Sequence, residues 1–263
     1  MYDPKKNTME IKKPIWSPEK LDLPSGASKR LFGKEKINLG STVCLTPIPH
    51  LFTLCEMELK NFTHTNGWYH VLSSEEGSVR YSIVHTLIGG SNLLDCMCFL
   101  AKFGVRNFIF LGYCGGLDQS LKLGDVIIPI EALNEIPLVE LLNQERELYQ
   151  PNKKLYKNVL GFLKKKNELE IIDFPIITTF SISHQTQNYF HNIIKTKAKG
   201  IDLETSALFW GSLAWDLNAI SILIVSDLPA FGNFLLENDK QHNQHILTSA
   251  KKLVISIIEF LDK

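Results

Sequence analysis

The stretch Ala219–Asp227, AISILIVSD, constrains this chain more than any other segment. It is apolar almost without interruption and stops abruptly on an acid. A half-exposed strand alternates apolar and polar residues. An uninterrupted apolar strand has no wet face and belongs in a sheet covered on both sides. Asn107–Leu111, NFIFL, has the same character. Other strand signals lie at Thr42–Leu45, Trp68–Leu72, Val79–Val84 and GDVIIPI. IIDFPIITTF adds a strand whose proline marks an edge or a bend. Helical patterns fall between them: His50–Leu59, the segment after Gly89-Gly90 that ends at Gly104, Asn152–Lys166, Thr186–Lys195 and Gln241–Leu261. Strands alternating with helices specify the α/β class around a central, largely parallel sheet.

A length of 263 residues suits one such domain. The first forty residues are rich in Lys and Pro and show no clean period. We therefore expect an N-terminal arm over 1–40 and one domain over 41–263. Trp16, Leu21, Leu23, Leu31 and Phe32 are the candidate anchors of the arm. The 28 basic and 28 acidic residues cancel, which argues against a partner such as nucleic acid or an anionic membrane surface. The local runs Lys153-Lys154 and Lys164-Lys165-Lys166 read as the solvated face of a helix. The five cysteines are odd in number and form no CxxC, so buried free thiols are expected, not a zinc site. The N-terminus lacks a signal-peptide core and no apolar run approaches bilayer length. These features lead us to expect a soluble, cytoplasmic protein with no metal or organic cofactor.

In sheets of this kind ligands bind beyond the carboxyl ends of the strands. That rule collects Pro47–His50, Leu87–Ser91, Gly112–Gly116 and Ser226–Asp227. Asp227 ends a buried strand, where partial desolvation would suit its carboxyl to deliver a proton. It would equally serve as a cap for the turn at Leu228-Pro229. GYCGGL fits neither a P-loop nor a dinucleotide fingerprint, and a tight turn is its default reading. KGIDLETSALFWGSLAW places Asp202 and Glu204 just before a long apolar helix. Taken alone, these acids are helix caps.

Three segments in combination, FGVRNFIFLGYCGGLDQSLKLGDVIIP, GIDLETSALF and ILIVSD, resemble the nucleoside phosphorylase superfamily over roughly residues 41 to 260. That superfamily contains purine nucleoside and uridine phosphorylases and several nucleosidases. The resemblance implies a three-layer α/β/α sandwich around a mixed, largely parallel sheet. It implies a nucleoside or nucleotide as ligand and a homo-oligomer, trimeric or hexameric. By the same resemblance Glu204 accepts the ribose 2′- and 3′-hydroxyls, for which a two-oxygen carboxylate is well suited. Asp202 stands where Glu is more usual and takes a direct or supporting part in ribose binding. Leu203 replaces a usual Met beneath the sugar. Asp227 protonates or hydrogen-bonds the base as the glycosidic bond breaks. Ile182 occupies the base-stacking position with Phe180 close by, and His184 and Gln185 are candidates for the base edge.

The phosphate clamp of the superfamily is what this sequence lacks. Its positions align with Pro47, Leu51, Phe110 and Tyr113, and a neighbouring-subunit arginine aligns loosely with Asn66. The chain has only four arginines, Arg30, Arg80, Arg106 and Arg146, and none falls at a matching site. An uncompensated phosphate dianion is costly to bury. Hydrolysis is therefore favoured over phosphorolysis. Two alternatives stay open: a phosphorylase with a rebuilt anion site, using His50 or His85 as donors, and a silent nucleoside-binding relative. Glu56 and Glu58 lie late in the chain for the water-activating role.

Overall fold

The computed structural model describes residues 17–74, 80–135, 148–234 and 240–263. It contains twelve strands in one mixed sheet, with helices on both faces. The central strands are β1 (Thr42–Thr46), β4 (Tyr81–His85), β5 (Asn107–Gly116) and β12 (Asn218–Asp227). They run parallel in the order β4, β1, β5, β12. Beyond β4 the sheet continues antiparallel through β3 (His70–Ser74) and β2 (Phe62–Asn66).

The uninterrupted strands are buried on both faces. Phe108, Phe110, Leu223 and Val225 enter the core under one helical layer, and Ile109, Leu111, Ile220, Ile222 and Ile224 enter the core under the other. The first layer contains α1 (Ala27–Phe32), α3 (Gly90–Lys102) and α6 (Thr205–Ala214). The second contains α2 (Pro49–Glu58), α4 (Lys153–Lys166) and α7 (Lys240–Leu261). A further helix, α5 (Gln187–Ile193), packs on a smaller satellite core. Helix α4 shows how local chemistry sets an element. The Asn152 carboxamide accepts the Lys154 and Leu155 N–H groups, and Asn167 closes the other end in the left-handed region. Helix α6 differs, because Ala207, Leu208, Phe209 and Trp210 are all fully buried, as an all-round apolar helix must be.

Within residues 17–40, Leu31 and Phe32 of α1 are buried in the same core as the central sheet, and Leu23 packs against it. Trp16 lies outside the described residues. All five cysteines are free and buried. No described helix is long and apolar enough to cross a membrane.

The sequence expectation fails at GYCGGL. The segment is not a tight turn. It is the extended end of β5, and Gly115 and Gly116 pair antiparallel with Ile201 and Gly200 of β11 (Gly200–Asp202). Close packing explains the two glycines. A β-carbon on Gly115 would lie 2.8 Å from Pro229 Cγ, and one on Gly116 would lie 2.5 Å from Leu228 Cδ2. IIDFPIITTF divides around its proline into β9 (Ile171–Ile172) and β10 (Ile176–Thr178). Strand β10 lies beside β11, which brings Thr178 opposite Asp202.

This register also opens a cleft at one edge of β5. On one edge β5 pairs with β1 only as far as Phe110, and with β11 only from Gly115 onward. Between those points the neighbours diverge, and a cleft opens over Tyr113 and Cys114.

Candidate functional site

That cleft is a cavity of about 310 Å³. Pro47 and Ile48 border it where β1 ends, and Tyr113, Cys114 and Gly115 border it from β5. Ile201, Asp202, Leu203 and Glu204 border it where β11 runs into α6, and Ser226 and Asp227 border it where β12 ends. Ile88, Ile182, Gln185, Pro229 and Phe234 complete the wall. Segments far apart in the chain thus meet at the carboxyl ends of parallel strands.

The two neighbouring acids divide the roles that the sequence left merged. Asp202 accepts Thr178 Oγ1 at 2.7 Å, the Thr205 N–H at 2.9 Å and Thr205 Oγ1 at 2.5 Å. It is the acid that caps the start of α6 and ties it to β10. Thr205 Oγ1 lies 2.9 Å from Ser221 Oγ, extending this network to β12. Glu204 points the other way, and its Oε1 accepts the Gly89 N–H at 2.7 Å. Both carboxyls are buried, at 4% and 5% exposure, and no described cation borders them. Burial raises the affinity of Glu204 for a proton, and the nearby Asp202 charge raises it further. Burial also acts upward on Asp202, opposed by its hydrogen bonds from Thr205 and Thr178. The donors around Asp202 make it the natural holder of negative charge, so the shared proton belongs on Glu204.

Asp227 is half-buried at the end of β12, and its Oδ1 accepts Ser226 Oγ at 2.9 Å. Between the acids lies Cys114, whose thiol is pushed up by burial and then by the charges of Asp202 and Asp227. Tyr113 is raised to about 12 by burial and stays a neutral phenol.

Among the residues expected at the site, Glu204, Asp202, Leu203, Asp227, Ile182, Gln185, Pro47 and Tyr113 all border this cavity. Four others do not. Leu51 is fully buried under the α2 layer. Phe110 is fully buried on the α3 and α6 side, its ring beneath Gly112. The Phe180 and His184 rings lie tilted against one another at 4.9 Å outside the cavity, and His184 meets Tyr189 edge-on at the same separation. Glu56 is held by His64 Nδ1 at 2.9 Å, and Glu58 borders a different cleft. Ile48, Ile88 and Gly89 lie within the strand-end segments collected from the sequence but were given no individual role, and sequence reasoning missed Thr178 and Phe234. Gly89 also carried a sequence signal of its own, as half of a glycine pair before a helix.

No lysine, arginine or histidine borders the cavity among the described residues. Arg106 Nη1 donates to the carbonyls of Ala101 and Val105, away from this cavity. Arg146 lies outside the described residues. The described residues contain no cluster of three or more potential metal ligands.

Comparison with known proteins agrees with this architecture. The sequence profile described as the Phosphorylase superfamily matches residues 44–259. The chain is 28% identical over 143 residues to a DeoD-type purine nucleoside phosphorylase of Brevibacillus brevis, covering 54% of this chain and 60% of that relative. Among solved structures, a uridine phosphorylase from Vibrio fischeri superposes with a TM-score of 0.75 at 19% identity, covering 85% of this chain and 92% of that one. A Campylobacter jejuni 5′-methylthioadenosine/S-adenosyl homocysteine nucleosidase superposes with a TM-score of 0.72 at 16% identity, covering 85% and 99%. At these identities the structural likeness speaks for the fold, and it extends to a phosphorylase and a nucleosidase alike.

Proposed function

This chain belongs to the phosphorylase superfamily, and from that premise we propose that it cleaves the N-glycosidic bond of a nucleoside or nucleotide with water, not phosphate, as the attacking species. One observation carries the reading. A single cavity joins Glu204 and Asp227, and no described cation borders it.

In this reading Glu204 accepts the sugar hydroxyls, and it does so fully once its proton has left. Asp202 positions it by fixing the start of α6. Asp227 gives a proton to the base nitrogen as the C–N bond breaks, so the base leaves neutral. The sugar becomes cation-like, and the buried negative charge of the acid pair stabilises it. Water then adds to the anomeric carbon, and its proton returns to Asp227 or to solvent. Inorganic phosphate meets Pro47, which has no N–H, and the neutral Tyr113 ring instead of a positive clamp.

A second reading, a silent nucleoside-binding protein, draws support from Glu56 and Glu58, which border other surfaces, so that neither serves as the base for water. One experiment separates the two. The full chain is incubated with a panel of purine and pyrimidine nucleosides, with and without phosphate, and free base is measured. Release that is independent of phosphate is the expected result. Release only with phosphate overturns the hydrolytic reading. No release, with ligand-dependent thermal stabilisation, selects the silent binder.

A further inference from the structure

A second cleft, of about 340 Å³, has the opposite chemistry to the first. Lys34, Lys36 and Arg80 border it together with the hydroxyl residues Thr63, Thr65, Ser73 and Ser74. No acidic residue borders it among the described residues. No described acid forms an ion pair with Lys34, Lys36 or Arg80. Among the described residues, three cations without an ion-pair partner therefore gather around one concavity in a chain of zero net charge. Thr65 Oγ1 is buried and has no hydrogen-bond partner. A buried hydroxyl without a partner is costly and marks a place where a ligand or water supplies the missing bond.

The frame of the cleft is tightly held. Gly40 adopts φ +73°, and a β-carbon there would lie 1.9 Å from the Arg80 carbonyl oxygen. Only glycine permits this approach, so the backbone before Gly40 is pressed against Arg80. Ser82 Oγ donates to the Leu39 carbonyl at 3.0 Å and lies 3.0 Å from Ser73 Oγ. These contacts hold Leu39 and Gly40, which follow the Lys34–Asn38 segment, against the sheet. Cations gathered beside the unpartnered Thr65 hydroxyl suit a tetrahedral oxyanion, whose oxygens take charge-assisted bonds.

The two cavities lie at opposite ends of the strands. Arg80 immediately precedes β4, whereas Pro47 immediately follows β1, which runs parallel to β4 with Thr42 opposite Tyr81 and Thr46 opposite His85. A ligand in one is therefore about 15 Å of strand away from the other. We propose that the Lys34–Lys36–Arg80 cleft is a second ligand site, for a phosphate-bearing anion, separate from the cavity that holds Glu204 and Asp227. The shared chemistry is a phosphoryl group, carried either by inorganic phosphate or pyrophosphate or by a nucleotide.

The test is calorimetric titration of the full chain with inorganic phosphate, pyrophosphate and adenosine monophosphate, at low and at raised salt. Three proteins are compared: the wild type, a Lys34→Ala/Lys36→Ala/Arg80→Ala variant and Asp227→Asn. Binding by wild type and Asp227→Asn alike is expected. So are a loss of at least about tenfold in the triple variant and weakening by salt. Inorganic phosphate or pyrophosphate binding as tightly as the nucleotide identifies the phosphoryl group alone as the ligand. Tighter nucleotide binding that is also lost in the triple variant identifies a nucleotide. The triple variant's melting temperature is measured alongside, and Thr65→Val, which removes one donor, provides a milder variant. Inorganic phosphate or pyrophosphate binding that survives in the triple variant overturns the proposal, as does the absence of any binding that the triple variant loses; adenosine monophosphate binding that survives belongs to the Glu204 cavity. Neither result bears on base release, so this site and the glycosidic reading fail separately.

Discussion

The main-chain N–H of Gly89 donates to Glu204 Oε1 at 2.7 Å, joining two glycine- and acid-bearing turns that lie 115 residues apart. This bond orients a carboxyl that borders the cavity. Glu204→Gln keeps the shape and an acceptor for Gly89 but cannot ionise to grip the sugar hydroxyls. Turnover of any nucleoside substrate should fall by about a hundredfold or more. The melting temperature should hold where wild-type Glu204 keeps its proton and exceed that of wild type at higher pH, where an ionised Glu204 would repel Asp202. Steady-state kinetics and calorimetry check the two halves, and a destabilised variant would contradict the assignment.

Asp202→Asn should behave in the opposite manner. Each Asp202 oxygen accepts at least one bond from Thr178 or Thr205. An Asn presents one acceptor and one donor, so at least one buried partner loses its bond. The expected cost is about 1–3 kcal/mol of stability. Denaturant unfolding checks it. Equal stability in Asp202→Asn and Glu204→Gln would deny that the two acids have separate roles.

The pH dependence of stability follows from the same pair. Both carboxyls hold their protons more tightly in the folded chain, Glu204 through burial and the Asp202 charge, Asp202 through burial. In the unfolded chain they ionise in the ordinary carboxylate range. The folded state therefore binds more protons above that range. The pair's stabilising contribution is full below the unfolded values and is lost as pH rises through the raised folded ones. Urea unfolding of wild type and Glu204→Gln, from about pH 5 to pH 9, isolates this contribution as a difference. The wild type should lose stability relative to the variant as pH rises. A flat difference would refute the shared-proton picture.

How much of this was legible in the sequence depends on whether the information was local. AISILIVSD and NFIFL are recognisable as central strands because an uninterrupted apolar run has only one environment that fits it. Strand β2, FTHTN, escaped notice because it pairs only with β3 and carries threonine, histidine and asparagine. Asp202 and Glu204 look alike in sequence, and their division is set by Thr178 and Gly89, which arrive from other strands and turns. GYCGGL misled because glycine signals both turns and close packing, and only Pro229 and Leu228 reveal which applies.

That packing gives a further expectation. A methyl group at Gly115 would meet Pro229 Cγ at 2.8 Å and Ile201 Cγ2 at 3.0 Å, and both residues border the cavity. Gly115→Ala should cost about 1–3 kcal/mol through overpacking. It should also raise KM for any substrate, since the wall must shift. Gly161→Ala is the control, on the exposed face of α4 with nothing within 4 Å. It should stabilise the chain by up to about 1 kcal/mol through helix propensity. Thermal unfolding of both variants checks the contrast, and equal shifts of the same sign would contradict it.

Asp227 carries the most demanding prediction, because its role is exerted in the transition state. Its carboxyl sits at the end of β12, only half-buried, with Ser226 Oγ donating to Oδ1. Asp227→Asn preserves the size and the Ser226 acceptor but cannot hand a proton to a leaving base. A group that acts on bond cleavage lowers kcat while leaving ground-state binding nearly unchanged. The expected loss in kcat is about a hundredfold or more, with KM close to wild type. Substrates whose leaving group needs no proton provide the sharper check. A nucleoside analogue with a nitrophenyl leaving group should be cleaved by Asp227→Asn almost as fast as by wild type. An equal loss on both substrate types would show that Asp227 shapes the cavity and does not deliver the proton.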